Sequence, residues 1–139
     1  MAKTFNPKLV SVSFAGYQLS GFGDTFISAE RNTDAFTLVK GADGETSRVA
    51  SADRSGKVTI TLKQSSLSND ILSGLAALDE LSGLGTGSLL IKDIAGTTLL
   101  EAQEAWISKL PSVTMGKEGS EREWVIECGE LLMLVGGNV

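Results

Sequence analysis

The sequence predicts a mainly β fold: two packed antiparallel sheets, sandwich- or barrel-like, with one short flanking helix near residues 69–81. Three observations carry this reading. Apolar and polar residues alternate in several short runs, the period of a strand with one buried face. The clearest is 57–63, where Val58, Ile60 and Leu62 point one way and Thr59, Thr61 and Lys63 the other. A helical period is convincing in one place, where Ile71, Leu72, Leu75 and Leu78 fall on one helix face. Between the runs lie 16 glycines and many Ser and Thr residues, which suit an all-β chain rich in turns. Aromatics supply only 6% of the chain, so Val, Ile and Leu must fill the core.

Taken in order, residues 1–7 read as an extended lead-in, because Asn6-Pro7 disfavours helix. Residues 9–14 alternate, with Val10, Val12 and Phe14 on one face. At Ala15-Gly16 the phase slips and Tyr17 and Leu19 continue in the other parity, which reads as a bulge or bend within one long strand. Gly21-Phe22-Gly23-Asp24 reads as a turn and 25–31 as a second strand, so 8–31 is expected to form a hairpin. Asn32-Thr33-Asp34 breaks the pattern, 35–40 runs into the turn cluster Gly41-Ala42-Asp43-Gly44, and 46–50 returns as its partner. A polar loop, 51–56, leads into the 57–63 strand.

The helix follows. Ser68 is its expected cap, Asp70 suits its positive end and Gly83 ends it. Gly74 inside costs on the order of 1 kcal/mol relative to Ala. After the loop 83–88, residues 89–92 and 97–100 flank Asp93-Ile94-Ala95-Gly96 as a hairpin. Residues 101–110 fit either a helical turn or a strand with Ala102, Glu104 and Trp106 on one side, closed by Pro111. Residues 115–123 are charged and loop-like. Residues 122–128 alternate again through Trp124, Ile126 and Cys128, 131–135 adds a last apolar strand, and 136–139 is a tail. No repeat or linker interrupts the chain, so 1–139 is expected to be a single domain.

Composition narrows the function. A chain of 139 residues buries roughly two-thirds of its unfolded surface, and 42% hydrophobic content supplies a core. A charged fraction of 21% is low for a free monomer and points to surface covered by other subunits. The net charge of −5 without a basic cluster argues against tight nucleic-acid binding, which needs Lys and Arg on phosphates. Cys128 is the lone cysteine, so no intrachain disulfide forms, and its place in an apolar alternation marks a buried small hydrophobe. The first ten residues lack the apolar core of a signal peptide, and the longest apolar run, 131–135, is too short to span a bilayer. Synthesis in a cytoplasm without a membrane partner is the expectation.

Chemistry finds little purchase. Histidine is absent, which removes the commonest general base and zinc ligand and excludes His-assisted Ser or Cys catalysis. The glycines of 83–87 follow a helix rather than a strand and lack the Gly-Lys-Ser/Thr of a phosphate cradle. Asp24, Glu30, Asp34, Asp43, Glu45 and Asp53 are scattered, with no spacing that forces two carboxylates together and no EF-hand pattern. Trp106 and Trp124 suit either carbohydrate stacking or, more commonly, core and interface packing. No catalytic, cofactor-binding or metal-ligating residue is expected.

The order of motifs carries a resemblance. The lead-in KLVSVSFAGYQLSGFGD is followed by DAFTLV running into the 41–44 turn, then VTITLKQSS leading to SNDILSGL. LLIKDIAGTTLLEAQEAWI comes next, with Pro111, Gly116-Lys117-Glu118 and Arg122-Glu123-Trp124 behind it. Over nearly the whole chain this resembles the tail tube proteins of contractile-tailed bacteriophages. The resemblance implies a virion structural protein without catalytic residues or cofactors. It implies two packed sheets with a flanking helix, and six copies in a ring whose inner strands join edge to edge into a continuous β-barrel. Rings would stack into a tube conducting DNA and a tape-measure protein, with sheath and baseplate proteins as further partners. Ring closure would remove the hazard of open strand edges. Six copies at −5 each give −30 per ring, a wall to which DNA would not stick. Two other readings stand beside it: a β-sandwich binding module, for example for carbohydrate, and a tube subunit of a tailocin or related injection machine.

The resemblance also directs attention to two sets of residues. If the 8–31 hairpin lines the channel, its less apolar face looks inward, which selects Ser11 and Ser13 with Ser28 and Glu30 as lumen-facing. The alternative for Glu30 is an ordinary salt bridge with Arg31 or Arg48 of a neighbour. Contact between rings calls for long, turn-rich loops. Residues 1–7, 41–56 and 112–122 qualify, with Gly41, Ala42, Asp43 and Gly44 at the centre of the choice.

Overall fold

The computed structural model describes residues 3–137. A short 3-10 turn, Pro7–Leu9, leads into ten strands and one helix. The strands are β1 (Val10–Phe14), β2 (Tyr17–Gln18), β3 (Phe22–Arg31), β4 (Phe36–Lys40) and β5 (Thr46–Ala50). After them come β6 (Gly56–Lys63), the helix α1 (Ser68–Ser82), β7 (Gly87–Asp93), β8 (Leu99–Lys109), β9 (Glu121–Cys128) and β10 (Leu132–Leu134). Eight strands form one sheet in the order β2-β1-β7-β8-β9-β6-β3, with β10 also on β8; β4 and β5 form a second sheet of their own. The expected mainly β, sandwich-like fold with one flanking helix is what forms.

The large sheet curls around a single apolar cluster. Val12 and Phe14 of β1, Leu89 and Ile91 of β7, and Ile60 and Leu62 of β6 meet there with Trp124 and Ile126 of β9 and Leu72 of the helix. Strands from both ends of the sheet therefore share one interior. Val58, Ile60 and Leu62 are fully buried, as their alternation demands. Each such side chain contributes roughly 1.5–3 kcal/mol by leaving water. β6 and β9 pair without interruption from Gly56↔Cys128 to Lys63↔Glu121, which puts Trp124 and Ile126 on the same inner face. The ambiguous stretch 101–110 resolves as strand, because β8 is claimed along its length by β7, β9 and β10.

Three expectations about the first third of the chain are overturned. The phase slip at Ala15-Gly16 is a chain reversal, not a bulge: Phe14 pairs with Tyr17, and Ala15 and Gly16 both have positive φ, 52° and 86°. That is the geometry of a tight hairpin turn. The Ala15 N–H donates to the Ser88 carbonyl at 2.9 Å, and the close approach needs Gly87, where a Cβ would lie 2.5 Å from the Ala15 Cβ. Accordingly 8–31 is not a hairpin. β1 pairs with β2 and β7, β3 pairs with β6, and the two lie at opposite ends of the sheet. With β1 occupied on both edges, β3 finds its partner across the 32–55 excursion. The turn expected at Gly21-Asp24 is strand from Phe22 onward, interrupted by a bulge: Phe22 faces Leu62 and Ile27 faces Ile60, so residues 23–26 oppose Thr61 alone.

The helix has the expected place and stop but not the expected cap. Gly83 adopts φ 71° and its N–H donates to the Asp79 carbonyl at 2.8 Å, a left-handed terminus. At the other end the cap position is Leu67, with no side-chain bond. The Ser68 hydroxyl is buried and accepts the Ser20 N–H at 3.0 Å, tying the helix to the chain before β3. Asn69 secures the same corner: its amide donates to the Lys63 carbonyl at 2.9 Å, and its Oδ1 accepts the Trp124 indole N–H at 2.9 Å. The buried stripe runs through Ser68, Leu72 and Ala76, with Leu75 packed beside it and Leu78 turned outward.

Candidate assembly surfaces

The β4–β5 arm is the first surface. Its register runs from Phe36↔Ala50 to Lys40↔Thr46. Every residue in both strands is exposed, and Phe36, Leu38, Val39 and Val49 stand 50%, 65%, 44% and 58% open. Alternation places Phe36, Leu38 and Lys40 on one face with Thr46, Arg48 and Ala50 opposite them. On that face the Arg48 guanidinium lies 4.1 Å over the Phe36 ring, a cation–π contact. A two-stranded hairpin with no cover is marginal in water, and its unpaired edges invite another chain.

Local hydrogen bonds hold the arm at tip and root. At the tip the Gly41 N–H donates to the Glu45 carbonyl at 2.8 Å, and the Glu45 N–H to Asp43 Oδ1 at 3.1 Å. The predicted turn residues Gly41, Ala42, Asp43 and Gly44 thus sit exposed at the end of the arm. At the root the Asn32 N–H reaches the Ser55 carbonyl at 3.0 Å, and the Asn32 amide donates to the Ser55 hydroxyl at 3.0 Å. Asp53 Oδ1 accepts the Ser55 hydroxyl at 2.6 Å and the Ser55 N–H at 2.9 Å, and these bonds hold its carboxyl below the ordinary carboxylate value.

The outer face of the large sheet is the second surface. Ser11, Ser13, Ser28 and Glu30 all lie on it, opposite the core positions, but as two separated pairs. Ser28 and Glu30 are on β3 at one edge, in rows with polar neighbours: Glu30 beside Lys57 and then Glu127, Ser28 beside Thr59 and then Val125. Ser11 and Ser13 are on β1 near the other edge, beside Lys92 and Leu90. Beyond them the face turns apolar: Leu90, Leu132 and Leu134 are 41%, 55% and 55% exposed. Glu30 thus faces Lys57 within its own chain. Arg31 turns inward, its guanidinium donating to the Leu131 carbonyl at 3.2 and 3.0 Å.

The remaining loop candidates differ. Met1 and Ala2, within the 1–7 stretch, lie outside the described residues. The 112–122 stretch is tied down: the Ser120 N–H donates to Gln64 Oε1 at 2.9 Å, and Arg122, itself buried, donates to the Ser120 hydroxyl at 2.7 Å. Sequence reasoning missed a third surface, an apolar groove of about 440 Å³ lined by Val10, Asp24, Phe26, Ile27, Ile91 and Leu100 among others. Its walls come from strands distant in sequence, so no local pattern announces it.

Among the described residues no cluster of Cys, Asp and Glu has the arrangement of a metal site, and no helix is long and apolar enough to cross a membrane. Trp124 is buried in the core with its N–H satisfied, which takes one of the two candidate stacking rings away from any sugar.

Comparison with known proteins gives a consistent picture. A family profile described as "Bacteriophage PhiTE tail tube protein" matches residues 8–136. The chain is 34% identical, over 97% of its own length and 83% of the relative's, to "Structural protein ORF10" of Pseudomonas phage KPP10. Among solved structures it is similar to the anti-feeding prophage cap, a tube terminating cap, with a TM-score of 0.66 at 10% identity over 96% of this chain and 93% of that one. It is also similar to a chain of the PVC sheath–tube complex of an extracellular contractile injection system in its extended state, with a TM-score of 0.62 at 14% identity over 98% and 93% of the two chains. At these identities the structural likenesses speak to fold alone.

Proposed function

The chain belongs to the bacteriophage PhiTE tail tube protein family, and from that premise we propose that six copies close into a ring and that the rings stack into a tube whose lumen conducts DNA. The observation that carries the proposal beyond family membership is the β4–β5 arm. A hairpin that exposes Phe36, Leu38, Val39 and Val49 and packs little apolar surface within its own chain is suited to packing in another. Residues 1–139 act as one tube domain in this reading, in the virion tail, after synthesis in the host cytoplasm. The sheath would cover the tube's outside, as the likeness to a sheath–tube complex suggests, the tape-measure protein would fill the lumen before DNA, and the baseplate would start the stack.

The arm tip, 41–44, reaches the neighbouring ring. Deleting these residues is expected to abolish tube growth and leave a folded subunit; normal tubes from the deletion variant would exclude the assignment. The free edge of β3 supplies a lateral joint, since an unpaired strand edge is a template for the next subunit.

For the lumen, Ser28 and Glu30 on β3 and Ser11 and Ser13 on β1 stand in separate rows of the outer face, the first beside Thr59 and Lys57 and the second beside Leu90 and Lys92. The polar half is the better wall, so Ser28 and Glu30 line the lumen with Thr59, while Ser11 and Ser13 face elsewhere on the tube. Repeated around each ring, the row Glu30, Lys57 and Glu127, two acids and one base, adds net negative charge felt within a Debye length of about 8 Å of the wall. DNA is repelled there and slides. Electron microscopy of the co-expressed or concentrated protein tests the proposal as a whole. Six-fold rings or tubes support it, and a different closed symmetry, such as an isologous dimer, overturns it. A Glu30→Lys tube is expected to assemble yet retain DNA or slow its ejection; normal ejection with residue 30 outside the channel would remove the electrostatic role.

A further inference from the structure

The chain carries an apolar arm without a cover and an apolar groove without a filling. We infer that they are halves of one joint: the arm of one copy seats Phe36 and Leu38 in the groove of a second copy, with Arg48 meeting Asp24. The inference rests on the tube reading for the presence of many copies, and on the groove's own geometry for the site.

The groove is the seam where the curled sheet nearly closes. On one side Val10, Ile91 and Leu100 belong to β1, β7 and β8; on the other Phe26 and Ile27 belong to β3. The bulge keeps this seam open, because residues 23–26 stand against Thr61 alone and cannot lie flat in the sheet. Val10, Phe26 and Ile27 are thereby left half-buried at the groove wall, with the buried Ile91 and Leu100 behind them. Two carboxylates line the same groove. Asp93 is nearly buried and its Oδ1 accepts the Ala95 N–H at 3.2 Å, so it is committed to its own turn. Asp24 is exposed.

The arm matches this chemistry. Its Phe36 face offers two apolar side chains and two cations, Lys40 and Arg48. Arg48 is already held against the Phe36 ring, so ring and guanidinium enter as one preformed unit, apolar where the groove is apolar and positive where Asp24 is negative. Within one chain the arm is exposed throughout and does not fill the groove, so the partner is another copy. Arm and groove are different patches of the same molecule. Such a joint, propagated head to tail, builds rings when the rotation closes and helical stacks when it does not.

The test mixes two single-cysteine variants, Leu38→Cys and Thr25→Cys, by co-expression; native Cys128 is buried and does not compete. Oxidation is expected to yield a covalent dimer from the mixture and none from either variant alone. Independently, Arg48→Glu, at an exposed position, is expected to cut assembled protein by about tenfold, and adding Asp24→Arg is expected to restore it. Normal tubes without the cross-link would overturn the joint and leave the tube standing. A cross-link without tubes would uphold the joint and overturn the tube. Arg48→Glu subunits that assemble normally, or a paired variant that fails to recover, would also overturn the joint.

Discussion

The β4–β5 arm and the β6–β9 pair begin from similar sequence signals and meet opposite fates. Both are antiparallel pairs rich in β-branched residues and bounded by turn chemistry. In β6, Val58, Ile60 and Leu62 are fully buried; in the arm, Leu38 is 65% exposed and Val49 58%. What differs is the other face of the pattern. β6 alternates strictly in sequence, with Thr59, Thr61 and Lys63 on the face opposite Val58, Ile60 and Leu62 and only Thr61 of these three buried, so one side has a core to join. The arm has apolar residues on both faces, Leu38 next to Val39, and no layer of its own chain against either. A strict alternation fits a face satisfied within the fold. A two-faced apolar hairpin fits contact supplied from outside.

The largest expected effect breaks the comparison on its buried side. Trp124→Ala removes the biggest fully buried side chain and its indole bond to Asn69, and is expected to cost about 3–5 kcal/mol in denaturant unfolding. Leu38→Ser in the arm is expected to change subunit stability by no more than about 0.5 kcal/mol, yet to prevent tube formation. If Leu38→Ser unfolds the subunit instead, the arm has a cover within its own chain.

A middle-sized effect sharpens the boundary between core and helix. Ser68→Ala leaves the buried Ser20 N–H without its acceptor and is expected to cost about 1–3 kcal/mol. An ordinary helix cap would instead be worth about 1 kcal/mol. The hydroxyl's role was not legible from residues 65–70, because its partner lies 48 positions upstream in sequence. The same limit explains the 8–31 region. A phase slip at Ala15-Gly16 looks alike for a bulge and for a two-residue reversal, and only β7, seventy-odd residues on, decides that β1 already has both edges filled. Most strands, the 41–44 and 93–96 turns, the helix and its Gly83 stop were legible because their signals are local. The exposed turn at 41–44 was legible as a protruding loop. The uncovered state of the arm and the groove beside Asp24 were not, since both depend on what the rest of the chain fails to cover.

The smallest effects are matters of pH. Burial pushes the Cys128 thiol up to about 11, aided by the neighbouring Glu127 charge. Its folded value lies above its unfolded one, so its contribution is fully present below about pH 9 and fades as pH rises toward 11. In the folded subunit the thiol is expected to resist a thiol reagent at pH 8 and to react only on unfolding. Asp53 runs the opposite way. Its hydrogen bonds with Ser55 lower its carboxyl below 3.8, so the arm root is held fully above that pH and loosens as pH falls through the folded value. Asp53→Asn is expected to abolish that acid-side loosening without changing the core's unfolding at neutral pH.

Hydrogen exchange on free subunits and on assembled tubes tests the central claim most directly. Amides of Val58, Ile60 and Leu62 should exchange slowly in both, because their protection belongs to the fold. Amides whose N–H points outward along the arm edges should exchange fast in the free subunit and become protected in the tube. Arm amides already protected in the monomer, or still fast in intact tubes, would contradict the claim that the arm is completed by another copy.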